Sequence, residues 1–587
     1  MINKIDICKY FDAEAQAAQK SWEALMSLSV KERIRKRKAI ENVYLDDSYV
    51  HNYDPEEEDM IIYRITFVNN LSDFKEGETL ILHDGSPDSG IKCRLHSYID
   101  DNSLLIEVFP PNLPDFWFKN NLNKPLLLDK DFVDLRNYVY NPFLVNLTWQ
   151  EDFWKKLLFT KPHKPTFDDK EKCKQELKET CDSFKLKLLR NQKAAIINSM
   201  AAKDYYLIQG PPGSGKSFVL AIIIAEELVF FEHKVIVIGP NHMAINNTLE
   251  QLVKFYPQTS SYIFKVGPVY QAPTYHVLYE DQECKITNLR KINGMNATTC
   301  VKKWIIGLTP HSLYTSSARY LSCDTLIIDE AGQMTIPLAL MGMIKAKKVI
   351  LAGDHKQLPP IITSEEIHEE LKESAFKSIL RPYNSTMLNV SFRMCEPICM
   401  FVSDLFYDGK LKPKKKGCGN MIVCNDPLYD FHSPIIIHNV DDDGEQTSDK
   451  EAEFIAATID GFISKGLPAN EVAVLSPFRA QAANVRRHIR KHSNITEEQR
   501  KKIAADTIDK MQGQEREVII YSLVSGDMDY MTEMAEFLYN PNKMNVAFSR
   551  AKSKLIIVGN IEQIKKNSSV EYPHIKKMIE SNLVKFV

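Results

Sequence analysis

Short apolar runs, each ending in a small or polar residue, recur along the chain from about residue 185 onwards. The first four are YYLIQG (205–210), KVIVIGP (234–240), TLIIDE (325–330) and KKVILAGD (347–354). Continuous apolar strands that alternate with helical segments are typical of a buried parallel sheet. After a break near 380–388, a second series follows in PIIIHNV (434–440), EVAVLSP (471–477), EVIIYSLV (517–524) and KLIIVGN (554–560). The pattern therefore predicts two α/β domains in tandem.

The N-terminal third has a different pattern. Residues 9–42 are rich in helix-forming residues, and Ser29 followed by Glu32 is typical of a helix start. Gly, Asp, Asn and Pro then separate short runs of β-type residues at hairpin spacing, which predicts a small barrel or sandwich. These runs are MIIYRITFV (60–68), TLILHD (79–84), IKCRLHSYID (91–100) and SLLIEVF (103–109). Helix returns near 132–147, and the polar segment 160–172 indicates a linker.

Composition narrows the class of protein. A chain of 587 residues is too long for one core, so three or four domains are expected. Its 44% hydrophobic and 26% charged residues are those of a globular protein. With a net charge of −3, no overall basic field attracts nucleic acid, and any such surface must be local. Basic runs occur at 31–38, 411–417 and 484–492, although each alone is more typical of a solvated face.

The cysteines and the N-terminus favour an intracellular protein. The 11 cysteines form no Cys-x-x-Cys pair, and Cys395 and Cys399 have no second pair at zinc-finger spacing. We therefore expect reduced thiols rather than disulfides or a metal site. The first residues lack the apolar core of a signal peptide, and no run reaches the ~18 apolar residues of a membrane span. We expect a cytoplasmic or nuclear type of location and no secretion.

A glycine-rich loop interrupts the apolar pattern at residues 210–217. It follows the strand-like run YYLI, precedes an apolar helix and fits G-x-x-x-x-G-K-[ST]. Backbone N–H groups of such a loop turn inward around phosphates, and the helix N-terminus adds its dipole. Lys216 is expected to reach the β- and γ-phosphates, and Ser217 is expected to ligate Mg²⁺. A glycine-rich turn with an unrelated lysine is the alternative.

Two carboxylates follow the apolar run at 325–328. Asp329 is placed to hold Mg²⁺ at the carboxyl edge of the sheet, and Glu330 to face the water that attacks the γ-phosphate. Carboxylates at a strand end also serve as helix caps, which is the alternative interpretation. A third strand end carries Asp354 and Gln357, where an amide can sense the γ-phosphate or simply form a polar turn.

Three further residues lie in the second α/β domain. Arg393 in SFRM and Arg550 in NVAFSRAK are candidates for permanently charged, bidentate contact with phosphate, the alternative being surface ion pairs. Two arginines from the other domain would let the nucleotide close a cleft. The segment QGQE (512–515) predicts a tight turn near sugar or phosphate that ends in Glu515, or a plain loop before a strand.

In this order, GPPGSGKS, DEAGQ, GDHKQLPP, SFRM, QGQE and NVAFSRAK resemble motifs I to VI of superfamily 1 helicases. The pattern is most similar to the subclass B branch of the nonsense-decay and immunoglobulin switch-region-binding helicases, from about Leu188 to Gly559. The resemblance implies an α/β fold of two tandem RecA-like domains with a helical stalk and a small β-barrel accessory domain. The expected ranges are 1–45 (stalk), 46–132 (barrel), 133–180 (stalk return and linker), 181–383 (first RecA-like domain) and 384–587 (second RecA-like domain).

The resemblance also assigns roles to residues. It implies an adenine-reading Gln192, an adenine-stacking Phe392, arginine fingers at Arg393 and Arg550, and a ribose contact for Glu515. The complete expected nucleotide site comprises Gln192, Gly210, Pro211, Pro212, Gly213, Ser214, Gly215, Lys216, Ser217, Phe392 and Glu515 for binding, Glu330, Gln357, Arg393 and Arg550 for catalysis, and Ser217 and Asp329 for the metal. Nucleic-acid contacts are expected at Pro240, Asn241, Thr309, Pro477, Phe478 and Thr507.

The expected activity is that of an ATP hydrolase that uses ATP and Mg²⁺ to move along single-stranded DNA or RNA and unwind it, 5′ to 3′. Contacts to the nucleic-acid backbone imply no sequence specificity and do not distinguish DNA from RNA. We expect a monomeric motor that does not act at a membrane. Two alternatives stay open: a nucleic-acid-stimulated ATPase that acts as a nucleotide-gated clamp or remodeller without unwinding, and an ATPase unrelated to nucleic acid.

Overall fold

The computed structural model describes most of the chain. Outside the description lie residues 1, 53–60, 69, 71, 73, 75–76, 101, 110–114, 148–153, 155–156, 160, 268–273, 277–282, 289–301, 316–317, 418–421, 493, 512, 525 and 569–571. Met60, at the start of the β-type run 60–68, and Gln512 of the fifth motif therefore lie outside the described residues. Within the described residues, no helix combines the length and the apolar character that crossing a membrane requires.

Two helices and a closed barrel form the N-terminal part. The helices and strands are α1 (Lys4–Met26), α2 (Val30–Arg35), β1 (Ala39–Asn52), β2 (Ile61–Thr66), β3 (Thr79–His83), β4 (Ile91–Asp100), β5 (Ser103–Phe109), α3 (Asp115–Asn121), β6 (Leu126–Lys130) and α4 (Asn141–Leu147). The barrel order is β1-β2-β5-β4-β3-β6, and every neighbouring pair is antiparallel. The predicted barrel is confirmed, but its first strand begins at Ala39 rather than at the expected boundary of 46.

The predicted helix start at Ser29 is confirmed. The Ser29 side chain accepts a hydrogen bond from the Glu32 backbone N–H at 3.3 Å, and the Glu32 carboxylate accepts one from the Ser29 N–H at 3.0 Å. This reciprocal cap satisfies two N–H groups that a helix leaves without partners. It starts α2 at the beginning of the basic run 31–38, and α2 carries Arg33 towards the barrel.

Arg33 forms a buried ion pair that joins α2 to the barrel. Its Nε and Nη2 donate to the two carboxylate oxygens of Asp129 in β6 at 2.9 and 3.0 Å. His83 in β3 is 2.9 Å from the same carboxylate through Nε2, and Arg33, Asp129 and His83 are all buried. A fork-shaped guanidinium on a buried carboxylate fixes both distance and direction. The pair therefore fixes how the stalk meets the barrel.

Replacing Arg33 with methionine is expected to destabilise the barrel by about 3–5 kcal/mol, because Asp129 keeps a buried charge without its main partner. Hydrogen exchange of β3 and β6 amides, followed along a denaturant series, measures this loss. Arg35 is exposed on the same helix and provides the control: Arg35→Met should change stability by less than about 0.5 kcal/mol. Equal losses in the two variants would contradict a structural role for the ion pair.

The stalk also attaches to the first α/β domain. Tyr10 in α1 shares a 3.0 Å hydrogen bond with Thr335, and the Glu14 carboxylate accepts the backbone N–H of Ser364 at 2.7 Å. Phe11 stacks on Tyr140 with ring centroids 4.2 Å apart. These contacts make α1 part of the core of the first α/β domain rather than a free extension.

The first α/β domain contains a parallel sheet. Its elements are α5 (Lys170–Ser183), α6 (Arg190–Ala201), β7 (Tyr205–Gln209), α7 (Lys216–Val229), β8 (Lys234–Ile238), α8 (His242–Phe255), β9 (Ile263–Lys265), β10 (Thr274–His276), β11 (Glu283–Lys285), β12 (Thr287–Asn288), β13 (Trp304–Gly307), β14 (Cys323–Ile328), α9 (Ile336–Met343), β15 (Ala346–Gly353), α10 (Glu369–Lys372), α11 (Ala375–Ile379) and β16 (Ser385–Met387). The sheet order is β12-β9-β13-β8-β14-β15-β7-β16, while β10 and β11 form a separate hairpin. Because β16 pairs with β7, this domain extends past the expected boundary at 383.

The second α/β domain contains another parallel sheet. Its elements are β17 (Val390–Ser391), α12 (Glu396–Phe406), β18 (Lys412–Pro413), β19 (Ile435–Asn439), α13 (Asp449–Ser464), β20 (Val472–Ser476), α14 (Arg479–Lys491), α15 (Glu497–Lys502), β21 (Ala504–Thr507), β22 (Arg516–Ser522), α16 (Met528–Glu533), α17 (Ala535–Leu538), α18 (Pro541–Phe548), β23 (Ala551–Gly559), α19 (Ile561–Ser568), α20 (Pro573–Glu580) and β24 (Lys585–Phe586). The main sheet has the order β21-β20-β22-β23-β19-β24. The predicted fold class, two tandem α/β domains beside an N-terminal barrel, is confirmed.

Among the cysteines that the structure describes, one departs from the expectation. Those described as free thiols are Cys8, Cys93, Cys173, Cys181, Cys284, Cys323, Cys399 and Cys424. Cys395, however, is disulfide-bonded, so the expectation of reduced thiols throughout is wrong at this position. The spacing of cysteines along the chain gave no signal for it, because a disulfide depends on which cysteines the fold brings close together.

Candidate functional site

Three neighbouring strands of the first sheet end at one edge, and each is followed by residues that the sequence singles out. β15 pairs in parallel with β7 on one side and with β14 on the other. The glycine-rich loop follows β7, Asp329 follows β14, and Asp354 follows β15. Because carboxyl ends of parallel strands meet at the same edge, the loop and both carboxylates share one crevice.

The loop at 210–217 has the backbone shape of an anion cradle. Gly213 and Gly215 have φ values of 69° and 79°, in the left-handed region, and Gly215 caps the N-terminus of α7. A Cβ at Gly215 would lie 3.3 Å from Nε2 of Gln192, so this buried amide contacts the loop. The first turn of an apolar helix thus presents its free N–H groups towards the crevice.

Lys216 lies between the two carboxylates of the neighbouring strand end. Its Nζ is 2.8 Å from Asp329 Oδ1 and 2.6 Å from Glu330 Oε1. Burial alone would lower the pKa of the Lys216 ammonium, but the charges of Asp329 and Glu330 outweigh it and raise the pKa. Thr248 donates to the other oxygen of Asp329 at 2.6 Å. The crevice therefore holds a fixed positive charge against a pair of oriented carboxylates.

Glu330 is held in an unusual backbone conformation. Its φ of 54° is left-handed, which non-glycine residues adopt rarely and at a cost of about 1–3 kcal/mol. Its backbone N–H donates to Asp329 Oδ1 at 2.8 Å, and Gln333 donates to its carboxylate at 3.1 Å. These contacts aim the carboxylate into the crevice, where it meets Lys216.

The second domain contacts the loop directly. The Phe392 N–H donates to the Gly213 carbonyl at 2.8 Å, and the Ser391 hydroxyl donates to the Pro212 carbonyl at 3.0 Å. A Cβ at Gly213 would lie 2.5 Å from Cβ of Arg393, so only glycine fits. The Phe392 side chain is 39% exposed, which leaves an aromatic surface free beside the loop.

The two candidate arginines have different surroundings. Arg393 donates through Nε to Glu515 and through Nη1 to the Ser549 carbonyl at 3.2 Å. Arg550 is only 4% exposed, and its buried Nε has no hydrogen-bond partner among the described residues. Burial, together with the nearby charge of Arg393, lowers the pKa of Arg550 to about 9, whereas Glu330 and Glu515 oppose the shift. Arg550 therefore lies within electrostatic reach of Glu330, across the boundary between the domains.

These contacts bring the predicted nucleotide-site residues to one interdomain crevice. Around it lie Gln192, Gly210, Pro211, Pro212, Gly213, Ser214, Gly215, Lys216, Ser217, Asp329, Glu330, Gln357, Phe392, Arg393, Glu515 and Arg550. Two of these residues also have partners within the protein: Glu515 pairs with Arg393, and the Gln357 amide donates to Asp354 at 3.0 Å.

The predicted nucleic-acid residues follow strand ends on both sheets. Asn241 and Thr309 come after β8 and β13, which pair in parallel, and Pro477 and Thr507 lie at the ends of the paired strands β20 and β21. Across the domain boundary, a Cβ at Gly513 would lie 3.7 Å from Sδ of Met243 at the start of α8.

The predicted nucleic-acid residues also make contacts that stabilise the local fold. Asn241 caps α8, since its side chain accepts the Ala244 N–H at 3.0 Å. Pro240, just before it, is half-buried, and Thr309 shares a hydrogen bond with Ser312 at 2.9 Å. Phe478 is 7% exposed and packs against Tyr530 and Phe537, so its ring is not open for base stacking.

Sequence reasoning missed side chains that complete the crevice. Thr248, Gln209, Tyr407 and Asn545 all contact its carboxylates or their neighbours. Thr248 and Asn545 are polar residues on the buried faces of α8 and α18, which was a weak signal in the pattern. Tyr407 lies outside the six motifs, and nothing local distinguished it from a core tyrosine.

Known proteins resemble the chain over these same domains. One protein-family model, described as an AAA domain, matches residues 187–274 and 278–365. A second model with the same description matches residues 371–562. An uncharacterized ATP-dependent helicase of Methanocaldococcus jannaschii is 27% identical over 502 residues, which cover 67% of this chain and 72% of that protein. DNA polymerase alpha-associated DNA helicase A of Schizosaccharomyces pombe is 27% identical and covers 65% of each chain. DNA replication ATP-dependent helicase/nuclease DNA2 of Saccharomyces cerevisiae is 28% identical over 66% of this chain and 26% of its own length.

The matches and the crevice agree with each other. The two matched models cover the two parallel-sheet domains, and the six motifs follow in order around the boundary between them. The chain therefore belongs to the superfamily 1 helicases.

Proposed function

We propose that the chain is an ATP-dependent helicase or translocase that moves along single-stranded nucleic acid in the 5′-to-3′ direction. The observation that carries the proposal is the position of Arg550. It is a buried guanidinium from the second domain, with Nε unpartnered among the described residues, within reach of Glu330 in the first. Arginines supplied from a second domain are typical of sites that hydrolyse a nucleotide on closure. The names of the relatives support helicase activity, whereas the direction rests on the motif resemblance.

ATP binding begins with an exchange of partners at Lys216. The lysine pairs with Asp329 and Glu330 in this structure. Phosphate oxygens bound at the loop would replace these two carboxylates as the partners of its ammonium. Gln192 and Phe392 flank the loop and are suited to contact the adenine edge and face. Once the lysine contacts the phosphates, Asp329 is available to bind a metal ion and Glu330 to accept a proton.

The freed donors suit Mg²⁺. A carboxylate and a hydroxyl are the hard oxygen ligands that this ion prefers, and the Lys216 ammonium on Asp329 marks where a cation is already favourable. Asp329 and Ser217 would hold the metal, which would neutralise charge on the phosphates when bound. Thr248 fixes the orientation of Asp329 in either case.

Hydrolysis is assigned to groups on both sides of the crevice. Glu330 would accept a proton from the attacking water, and its backbone conformation keeps its carboxylate directed into the crevice. Arg393 and Arg550 would stabilise the negative charge that develops on the transferred phosphoryl group. Each cycle would then close and reopen the domains and shift the contacts of the nucleic-acid face.

Two assays on the full chain test this function. The first measures ATPase stimulation by DNA and RNA oligonucleotides of matched sequence, which also decides the strand type. The second uses forked duplexes with a 5′ or a 3′ tail, with Lys216→Ala as the inactive control. We expect stimulation and strand release from the 5′-tailed fork alone. Stimulation without strand release would instead indicate a nucleotide-gated clamp, and no stimulation would exclude action on nucleic acid.

A further inference from the structure

One buried carboxylate collects hydrogen bonds from both domains. Asp354 follows β15 and is 2% exposed. Its Oδ1 accepts hydrogen bonds from Nε2 of Gln209 and from the Lys356 N–H, each at 3.2 Å. Its Oδ2 accepts Nε2 of Gln357 at 3.0 Å and the Tyr407 hydroxyl at 2.5 Å. Three of these donors belong to the first domain, and the fourth, Tyr407, belongs to the second.

The backbone around Asp354 is packed against the turn that carries Glu330. A Cβ on Gly332 would lie 2.8 Å from the Asp354 carbonyl oxygen. A Cβ on Gly353 would lie 2.6 Å from the Gly332 nitrogen. Because both sites exclude a methyl group, the two turns have no room to slide independently. A displacement of Asp354 therefore shifts the turn of Glu330 as well.

Tyr407 is the middle of an ordered chain of donors. Its single hydroxyl proton goes to Asp354, and its oxygen accepts Nδ2 of Asn545 at 2.8 Å. The other Nδ2 proton of Asn545 goes to the Lys356 carbonyl at 2.6 Å. Asn542, on the same helix, donates to the His355 carbonyl at 3.2 Å. Burial and the nearby Asp354 raise the pKa of Tyr407 well above its usual range, which keeps the hydroxyl a donor.

The helix that carries these asparagines leads to the candidate arginine finger. α18 (Pro541–Phe548) contains Asn542 and Asn545, and Arg550 follows its last residue by two positions. Hydrogen bonds thus link Asp354 through Tyr407 to α18, which leads to Arg550. Backbone packing, rather than a hydrogen bond, links Asp354 to the Glu330 turn. Each hydrogen bond of this chain joins two protein groups directly, so no bridging water is needed to connect them.

We propose that Tyr407 is a positioning residue for hydrolysis: its hydroxyl couples the Asp354 carboxylate to α18 and so sets Arg550 against the γ-phosphate. This inference rests on the proposed function and extends it to a residue outside the six motifs. The coupling uses a hydrogen bond to a charged group, the stronger kind in a buried site. Tyr407 itself touches neither phosphate nor water in this assignment.

The test replaces Tyr407 with phenylalanine in the full chain. We expect kcat for ATP hydrolysis to fall by about 10- to 100-fold, with KM for ATP within about twofold of wild type. We also expect faster hydrogen exchange at the amides of α18 in the nucleotide-free protein, by about tenfold. A change confined to KM, or kcat within twofold of wild type, would overturn the inference.

A matched control exists in the same domain. Tyr521 in β22 is also fully buried and packs edge-on against Phe548 of α18, but its hydroxyl has no hydrogen-bond partner among the described residues. Tyr521→Phe should leave both exchange in α18 and kcat unchanged. An equal loss in Tyr521→Phe would mean that any lost hydroxyl near α18 has this effect, which would also overturn the inference.

A double-mutant cycle isolates the contact, and exchange separates two kinds of failure. Asn545→Ala and Tyr407→Phe together should slow hydrolysis no more than the stronger single change, because they break one chain. Additive effects would refute the coupling. Exchange in α18 needs no ATP, so unchanged exchange in Tyr407→Phe refutes the coupling even if the protein is not a motor. Absence of any ATPase in the wild type would refute the proposed function instead.

Discussion

Replacing Arg550 with alanine is expected to slow ATP hydrolysis by about 10³–10⁵-fold while nucleotide still binds. The guanidinium is 4% exposed, its Nε has no partner among the described residues, and it lies within electrostatic reach of Glu330. A buried guanidinium with one N–H free of protein partners is available for the negative charge of the transition state. Ground-state binding relies mainly on the loop at 210–217. Single-turnover hydrolysis at saturating ATP, beside titration of a fluorescent ATP analogue, measures the two effects separately.

Two further variants define what the Arg550 result means. Arg487→Ala removes an exposed arginine of the same domain, which pairs with Asp449 and Asn484, and should hydrolyse ATP at the wild-type rate. Arg550→Lys keeps a positive charge but loses the bidentate fork, so it should recover only part of the rate. If Arg550→Ala turned over ATP at a near-normal rate, Arg550 would not be an arginine finger. The proposal that both domains contribute groups to hydrolysis would then fail.

Lys216→Ala is expected to abolish both ATP binding and hydrolysis. The loop then keeps its backbone N–H groups but lacks the ammonium that reaches the β- and γ-phosphates. In the nucleotide-free protein the change also leaves Asp329 and Glu330 close together without a cation between them. Equilibrium binding of a fluorescent ATP analogue and steady-state ATPase with oligonucleotide measure the loss.

A stability measurement distinguishes lost function from lost fold in Lys216→Ala. Lys347 is an exposed lysine of the same domain that pairs with Asp324. Lys347→Ala should bind and hydrolyse ATP normally, and its thermal unfolding gives the reference for a lost ion pair. A Lys216→Ala protein that melts like wild type but still binds ATP tightly would contradict the assigned role of the lysine.

The parts of the fold that the sequence predicted are those with local signals. Buried parallel strands appear as continuous apolar runs, so YYLIQG and TLIIDE located β7 and β14 closely. The phosphate loop needs glycines at fixed spacing, and Gly213 and Gly215 do adopt left-handed φ values. The helix cap at Ser29 was predictable for the same reason, since both partners lie within one turn.

The parts that escaped prediction depend on partners far along the chain. Tyr407 meets Asp354 across 53 positions and Asn545 across 138, and no local pattern encodes either contact. The sequence did not show that β16, just beyond the expected boundary at 383, pairs with β7, because only one of its three residues is apolar. Likewise, the burial of Phe478 depends on Tyr530 and Phe537, which arrive from later helices.

The pairing of β16 with β7 gives the two arginines unequal freedom. Arg393 follows Met387, the last residue of β16, by six positions, and six extended residues span at most roughly 20 Å. If the two domains separate during the proposed cycle, Arg393 would stay within this distance of β16, whereas Arg550 would move with the second domain. We therefore expect Arg550, rather than Arg393, to link hydrolysis to closure of the domains.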